Sequence, residues 1–255
     1  MDLTLIKSRD ILVKARTKLI NHVQGTVKSV GGRLPSCSAA SFDKKVVDSI
    51  PEELRCALQP IVETIASLTS RIRDYDREIE KLCQERYPEA EHLQRVGGIG
   101  PVTSLAYILT LEDPGRFGKS REVGAYIGLV PKRDQSGERD PQLMITKEGD
   151  SYLRSLLVGS GQYILGPFGP DCDLRRWGLK LMERGGKNAK KRAVVAVARK
   201  LAVLLHRLWT TGEIYDPFYH AKREKEPAGV MKVSPCSAGE EEELELMLTG
   251  ECSKG

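Results

Sequence analysis

Ser136 is the residue of this chain best suited to covalent chemistry. It lies in Gln135-Ser136-Gly137, within a polar stretch over residues 130–144 that also carries Lys132, Arg133 and Arg139. A hydroxyl on a glycine-flanked loop is free to project. Cations beside it could steady a phosphate and ease formation of an alkoxide. Ser-Gly is also among the commonest turn dipeptides, so a plain turn serine stays open on these residues alone. The second candidate is Gly98-Ile99-Gly100. Leu93 and Val96 precede it and Leu105 and Ala106 follow, so the segment reads as a helix, a tight glycine hairpin and a second helix. Glycine reaches backbone angles that other residues avoid and lets the main chain approach a ligand. Amides freed near Pro101 and Val102 can point at a phosphate. A purely structural turn is the alternative.

Further cations could add phosphate contacts. Lys147 follows the polar stretch in Ile145-Thr146-Lys147-Glu148-Gly149-Asp150, and Arg154 comes one turn later, where it could hold a phosphate or pair with a carboxylate. From Arg175 to Arg192 the charges are dense, with Lys187, Lys190, Lys191 and Arg192 at the start of the last helix. Such a block is either a phosphate-contacting face or a solvated one. The net charge of +5 hides an asymmetry: residues 219–255 hold five basic and eight acidic residues, which leaves 35 basic against 27 acidic in the rest. A basic body of that kind favours a polyanionic partner.

Other chemistries are poorly served. The cysteines, at 37, 56, 83, 172, 236 and 252, form no Cys-x-x-Cys pair, and none of the four histidines stands at ligand spacing from a cysteine or aspartate. No zinc site or disulfide framework is expected, and free thiols fit a reducing cytoplasm. Glu112-Asp113 and Asp171/Asp173 do not resemble a nuclease metal site, so no metal ligand is assigned. No apolar run approaches the 18 residues of a membrane span, and the first residues lack a signal peptide's apolar core.

The elements that must position these residues are helices. Residues 2–30 read as an amphipathic helix with Leu5, Leu12, Leu19 and Val23 near one face and nothing before it to pack on. Residues 34–50 look like a connector with a short helix. Leu54, Leu58, Ile61, Ile65, Leu68, Ile72, Tyr75, Ile79 and Leu82 then repeat at alternating spacings of four and three. That is a heptad stripe, predicting a coiled coil over residues 51–87, either self-associating or antiparallel, with Pro60 kinking or restarting the helix. An ordinary core helix is the alternative. Pro88 is expected to end it. Helices follow over 103–111, 120–129, from an Asp150 N-cap through Leu157, 173–184 and 190–209, with Gly166-Pro167-Phe168-Gly169-Pro170 as a break. No strand pattern beyond short fragments is convincing. The fold class is therefore mainly α: a long coiled-coil helix followed by a helical domain over 88–218 containing the helix-hairpin-helix, with disorder expected over 219–255.

Val96-Gly-Gly-Ile-Gly-Pro101, Gly128-Leu129-Val130-Pro131, Ser136-Gly137 and Ile145-Thr-Lys-Glu-Gly-Asp150, with Leu153-Arg154 and Leu156-Leu157, resemble the C-terminal half of the DEDD insertion-sequence transposases. This is the "one-ten" family of mobile elements, related to the pilin-inverting recombinase. Gly185-Gly186-Lys187-Asn188-Ala189-Lys190 resembles one subgroup. The resemblance covers about residues 2–218. Two features depart from the pattern: Gln142-Leu143-Met144 stands where a glycine is expected before Ile-Thr-Lys, and the acidic tail has no counterpart.

The resemblance implies a great deal. Ser136 matches the family's serine, thought to attack the DNA phosphodiester, which reverses the turn reading. Intact members carry an upstream RuvC-like domain whose four acids bind Mg²⁺. They are understood to use DNA at transposon ends and target, an element-encoded guide RNA, and assembly into multimers, which suits the heptad stripe. Residues 1–50 would then be the helix and connector that follow a RuvC-like domain. The chain is expected to be a truncated transposase or recombinase that binds DNA without recombining it alone. Two other classes stay open: a binding-only regulator that dimerises through the coiled coil, and a DNA-repair accessory protein.

Overall fold

The fold is taken from a computed structural model, which describes residues 1–134 and 143–219. Ser136 and Arg139, and the acidic tail beyond Tyr219, lie outside the described residues. Among those described, nine α-helices form the framework, and strand structure is limited to one antiparallel bridge between Pro131 and Ile145. The mainly α expectation is met. Among the described residues no helix is long and apolar enough to cross a membrane.

The first helix, α1 (Asp2–Ser29), is not left without a partner: it packs along α3 (Glu52–Glu85). The two run antiparallel. Asp2 meets Arg86 and the Tyr87 hydroxyl at one end, Arg9 meets Asp76 in the middle, and Arg16 reaches Thr69 further on. The period expected of α3 is present but its phase differs. The buried positions are Leu58, Val62, Ile65, Thr69, Ile72, Ile79 and Cys83, whereas Ile61, Leu68, Tyr75 and Leu82 are half-buried on one flank. α3 passes through Pro60 as a single helix rather than restarting there. Proline removes only the bond to the carbonyl four residues earlier, that of exposed Cys56, which water can satisfy, while Leu58 and Val62 pin both sides of the proline into the core.

The α1–α3 pair spans two apolar cores. The small one joins Ile20, Val23 and Val27 of α1 to Phe42 and Val46 of α2 (Phe42–Val46) and to Leu58, Val62 and Ile65 of α3. The large one takes Ile6, Ile79 and Cys83 from the other end of the pair. The rest of it comes from α4 (Pro88–Gln94), α5 (Pro101–Leu111), α6 (Glu122–Tyr126), α7 (Ser151–Leu165), α8 (Asp173–Glu183) and α9 (Ala189–Thr211). Pro88 opens α4 rather than closing α3, which ends at Glu85, because proline suits the first helical turn. α9 is the hub, packed against α4, α6, α7 and α8. The hydroxyl of fully buried Tyr107 in α5 donates to the Ala202 carbonyl at 2.7 Å, tying α5 to it as well. Residues 1–217 form one compact unit.

Cys83, in the wall of the large core, has a thiol pushed up to about 11, chiefly by burial and further by Glu80. At pH 8 only about one such thiol in a thousand is a thiolate, the form that reacts. In native protein at that pH, a maleimide is expected to label exposed Cys56 and to leave Cys83 unlabelled until denaturant is added. Peptide mapping showing equal labelling of both would contradict the packing of α3.

Candidate functional site

The polar stretch carrying Ser136 leaves the body through a narrow paired neck. After α6 the chain turns at Gly128, with φ of 76°, runs outward to Lys132 and returns from Met144 to Lys147. The two arms are joined by Lys132 N–H to Met144 O at 2.9 Å, Thr146 N–H to Val130 O at 2.9 Å and Lys147 N–H to Gly128 O at 3.1 Å. Fully buried Leu129 anchors the outgoing arm. Two glycines are required where the arms meet the body. A β-carbon on Gly128 would run into the main chain of Glu148, and one on Gly149, with φ of 75°, would run into the carbonyl of Tyr126.

Arg154 closes the neck from α7. Its Nη1 donates to the carbonyls of Ile127 and Glu148, both at 2.8 Å, one on each arm. Neither a phosphate nor a carboxylate is needed to explain this nitrogen. The helix itself is fixed at the same spot: the Asp150 side chain accepts from Leu153 N–H at 2.7 Å, the expected N-cap, and lies 3.6 Å from Lys7 of α1. Lys132, Arg133 and Lys147 are exposed along the neck, and Lys147 holds a left-handed φ of 61°. The structure thus gathers three of the candidate cations at the base of the segment that bears Ser136.

The glycine hairpin stands at the other end of α7. Gly98 has φ of 89°, which explains its type. Its β-carbon would also lie 3.1 Å from Tyr163 and 3.3 Å from Ile164, and one on Gly97 would lie 2.6 Å from Pro170. These glycines answer to the end of α7 and the turn after it. Ile99 is 6% exposed, so its side chain faces inward. Gly100 has open space around it and precedes α5 as its N-cap with no side-chain cap; Pro101 brings no N–H, and Thr103 N–H bonds to Gly100 O at 3.1 Å. By helix rise, the nine residues from Arg154 to Tyr163 separate hairpin and neck by about 14 Å.

The basic block divides. Arg175 donates to the carbonyls of Ile164 and Gly166, and Arg176 grips Asp171 with two bonds of 3.0 and 2.7 Å, which hold that carboxyl below its usual range. Beyond them Gly185, Gly186 and Asn188 all take positive φ and turn the chain into α9. Lys187, Lys190 and Lys191 are exposed there, while Arg192 donates to Gly185 O at 3.3 Å. Sequence reasoning passed over Arg199. It is half-buried in α9, its stem lies against Gly124, and burial lowers its pKa. Its signal was an arginine inside the apolar run from Ala193 to Leu205, seven residues after Arg192. Among the described residues no group of three or more His, Cys, Asp or Glu could hold a metal ion.

Replacing Arg154 by alanine removes both carbonyl contacts at a half-exposed position and is expected to cost about 1–3 kcal/mol. Amide exchange at Thr146 and Lys147 should accelerate well beyond the change in global stability. Unchanged protection at those amides would show that the arms hold together without it.

Residues 90–165, from α4 through the neck to the end of α7, match the model of the family described as "Transposase IS116/IS110/IS902 family". The chain is 30% identical over 223 residues to the transposase for insertion sequence element IS1111A of Coxiella burnetii, covering 83% of this chain and 59% of that protein. It is 29% identical over 217 residues to a probable family 20 transposase of Pseudomonas aeruginosa, covering 82% and 63%. The pilin gene-inverting protein of Moraxella bovis is 28% identical over 138 residues, 52% of this chain and 42% of that protein. The chain thus spans about six-tenths of the length of the two transposases. Its neck, glycine hairpin and α7 thus fall in the stretch that matches the IS116/IS110/IS902 transposase family, in a chain similar over most of its length to insertion-sequence transposases.

Proposed function

We propose that this chain is the DNA-holding and strand-cleaving part of an insertion-sequence transposase, with Ser136 as nucleophile. The observation that carries the reading is the neck: two obligatory glycines and Arg154 fix the base of a cation-bearing segment within the family-matched region. In the proposed reaction the Ser136 oxygen loses its proton and bonds to phosphorus. The bond from phosphorus to the leaving sugar oxygen breaks, and that oxygen takes up a proton. The phosphoserine link preserves the phosphodiester energy, so a second strand's hydroxyl can reverse the step and rejoin DNA.

Lys132, Arg133, Arg139 and Lys147 are proposed to neutralise the phosphate under attack, and Lys187, Lys190, Lys191 and Arg192 to hold flanking DNA. The Gly98–Gly100 hairpin is proposed to lie against a further phosphate. Arg154 acts through the neck. We assign no metal ligand to these residues. In this reading Mg²⁺ is held by acids of a RuvC-like domain in the rest of such a protein, and guide RNA and self-association belong to the whole assembly.

Replacing Lys187, Lys190 and Lys191 together by alanine should weaken binding of the purified chain to element-end duplex. If each contacts a phosphate, the slope of log affinity against log salt falls by about 2 to 3. Ser136→Ala should leave both quantities unchanged while abolishing any denaturant-resistant protein–DNA adduct. An adduct that persists in Ser136→Ala removes the assignment of the nucleophile.

A further inference from the structure

The turn after α7, Gly166-Pro167-Phe168-Gly169-Pro170, ends a helix, yet its geometry exceeds what a helix end needs. Arg175 reaches from α8 beneath the turn and donates to the carbonyls of Ile164 and Gly166. Gly169 lies so close to the Ile164 carbonyl and the Arg175 guanidinium that any β-carbon there would collide with both. Gly169 N–H returns to Gly166 O at 3.3 Å, and a proline fixes φ on either side of the Phe168–Gly169 pair. Pro170 abuts Gly97 of the glycine hairpin. All this rigidity presents one side chain to water: Phe168 is 85% exposed. Tyr163, 49% exposed, lies over Gly98.

We infer that Phe168 is a stacking residue that takes the face of a base from nucleic acid held against the glycine hairpin. The inference rests on the proposed DNA-holding role. A rigid, protruding, single aromatic is the form used to wedge between base steps or to platform an unpaired base. Arg95 is exposed two residues before Gly97, and Arg175 beneath the turn adds a second cation, while Arg176 is paired with Asp171. A second protein is a poor occupant. Stable protein interfaces bury upward of about 1,000 Å², and two isolated rings on a narrow corner do not supply such a patch.

The test uses the full chain with three probes of one sequence: element-end duplex DNA, the single DNA strand and the single RNA strand. Phe168→Ala is expected to weaken at least one by about five- to a hundredfold, the range of a lost base–aromatic stack, with the salt slope unchanged because no phosphate contact is removed. Loss on the duplex identifies a wedge, and loss on a single strand identifies a platform. Phe168→Trp should keep the affinity and add an emission that the bound base quenches. Equal affinity of wild type and Phe168→Ala for every probe, with binding still sensitive to the Lys187/Lys190/Lys191 change, overturns the inference and spares the DNA-holding role. Failure of the wild-type chain to bind any probe overturns both. A change in oligomeric state of Phe168→Ala without a change in nucleic-acid affinity would assign the ring to a second copy instead and also overturns it.

Discussion

Between α6 and α7 two stretches of main chain pass so close that neither Gly128 nor Gly149 can carry a side chain, and carbonyls of Ile127 and Glu148 point at the same spot. Two aligned carbonyl dipoles repel and, half out of water, need a donor. The Arg154 guanidinium supplies it. The same crossing sets the direction in which residues 129–132 leave and 144–147 return. Asp150 capping α7 and the Lys7 ammonium beside it hold the donor's own helix in place.

That arrangement repeats at the other end of α7, where Arg175 bridges the carbonyls of Ile164 and Gly166. One helix is therefore flanked by two arginine-locked turns. The N-terminal turn projects the cationic arms, and the C-terminal turn backs the glycine hairpin. A straight helix between them fixes the spacing of two surfaces that would otherwise be separate loops.

The sequence was most informative about period and punctuation. The extent of α1, the Asp150 cap and the glycine breaks at 185–186 could be read from local residue types, because caps and turns are decided within a few residues. The phase of α3 could not. Apolar residues alone favour Ile61, Leu68 and Tyr75, but Thr69 and Asp76 sit toward α1 because Arg16 and Arg9 are there to bond them, 53 and 67 residues away. The sequence left Arg154 open to a phosphate or a carboxylate and the block opened by Arg175 open to phosphate or solvent; the partners found for both are carbonyls, which no residue type announces. The hairpin glycines were open to ligand approach or a structural turn, and Tyr163 and Pro170 account for Gly98 and Gly97 from inside the fold.

The long α1–α3 pair carries a further consequence. It feeds two separate cores at its ends, and between them α3 buries Ile72 alongside the polar bonds Arg9–Asp76 and Arg16–Thr69, with the Arg16 guanidinium partly desolvated and its Nε without an acceptor. Polar bonds of this kind transmit little cooperativity, because water can replace them at small net cost. The small core around Phe42 and Val62 is thus joined to the rest of the unit through the continuous helices α1 and α3 rather than through one shared apolar core.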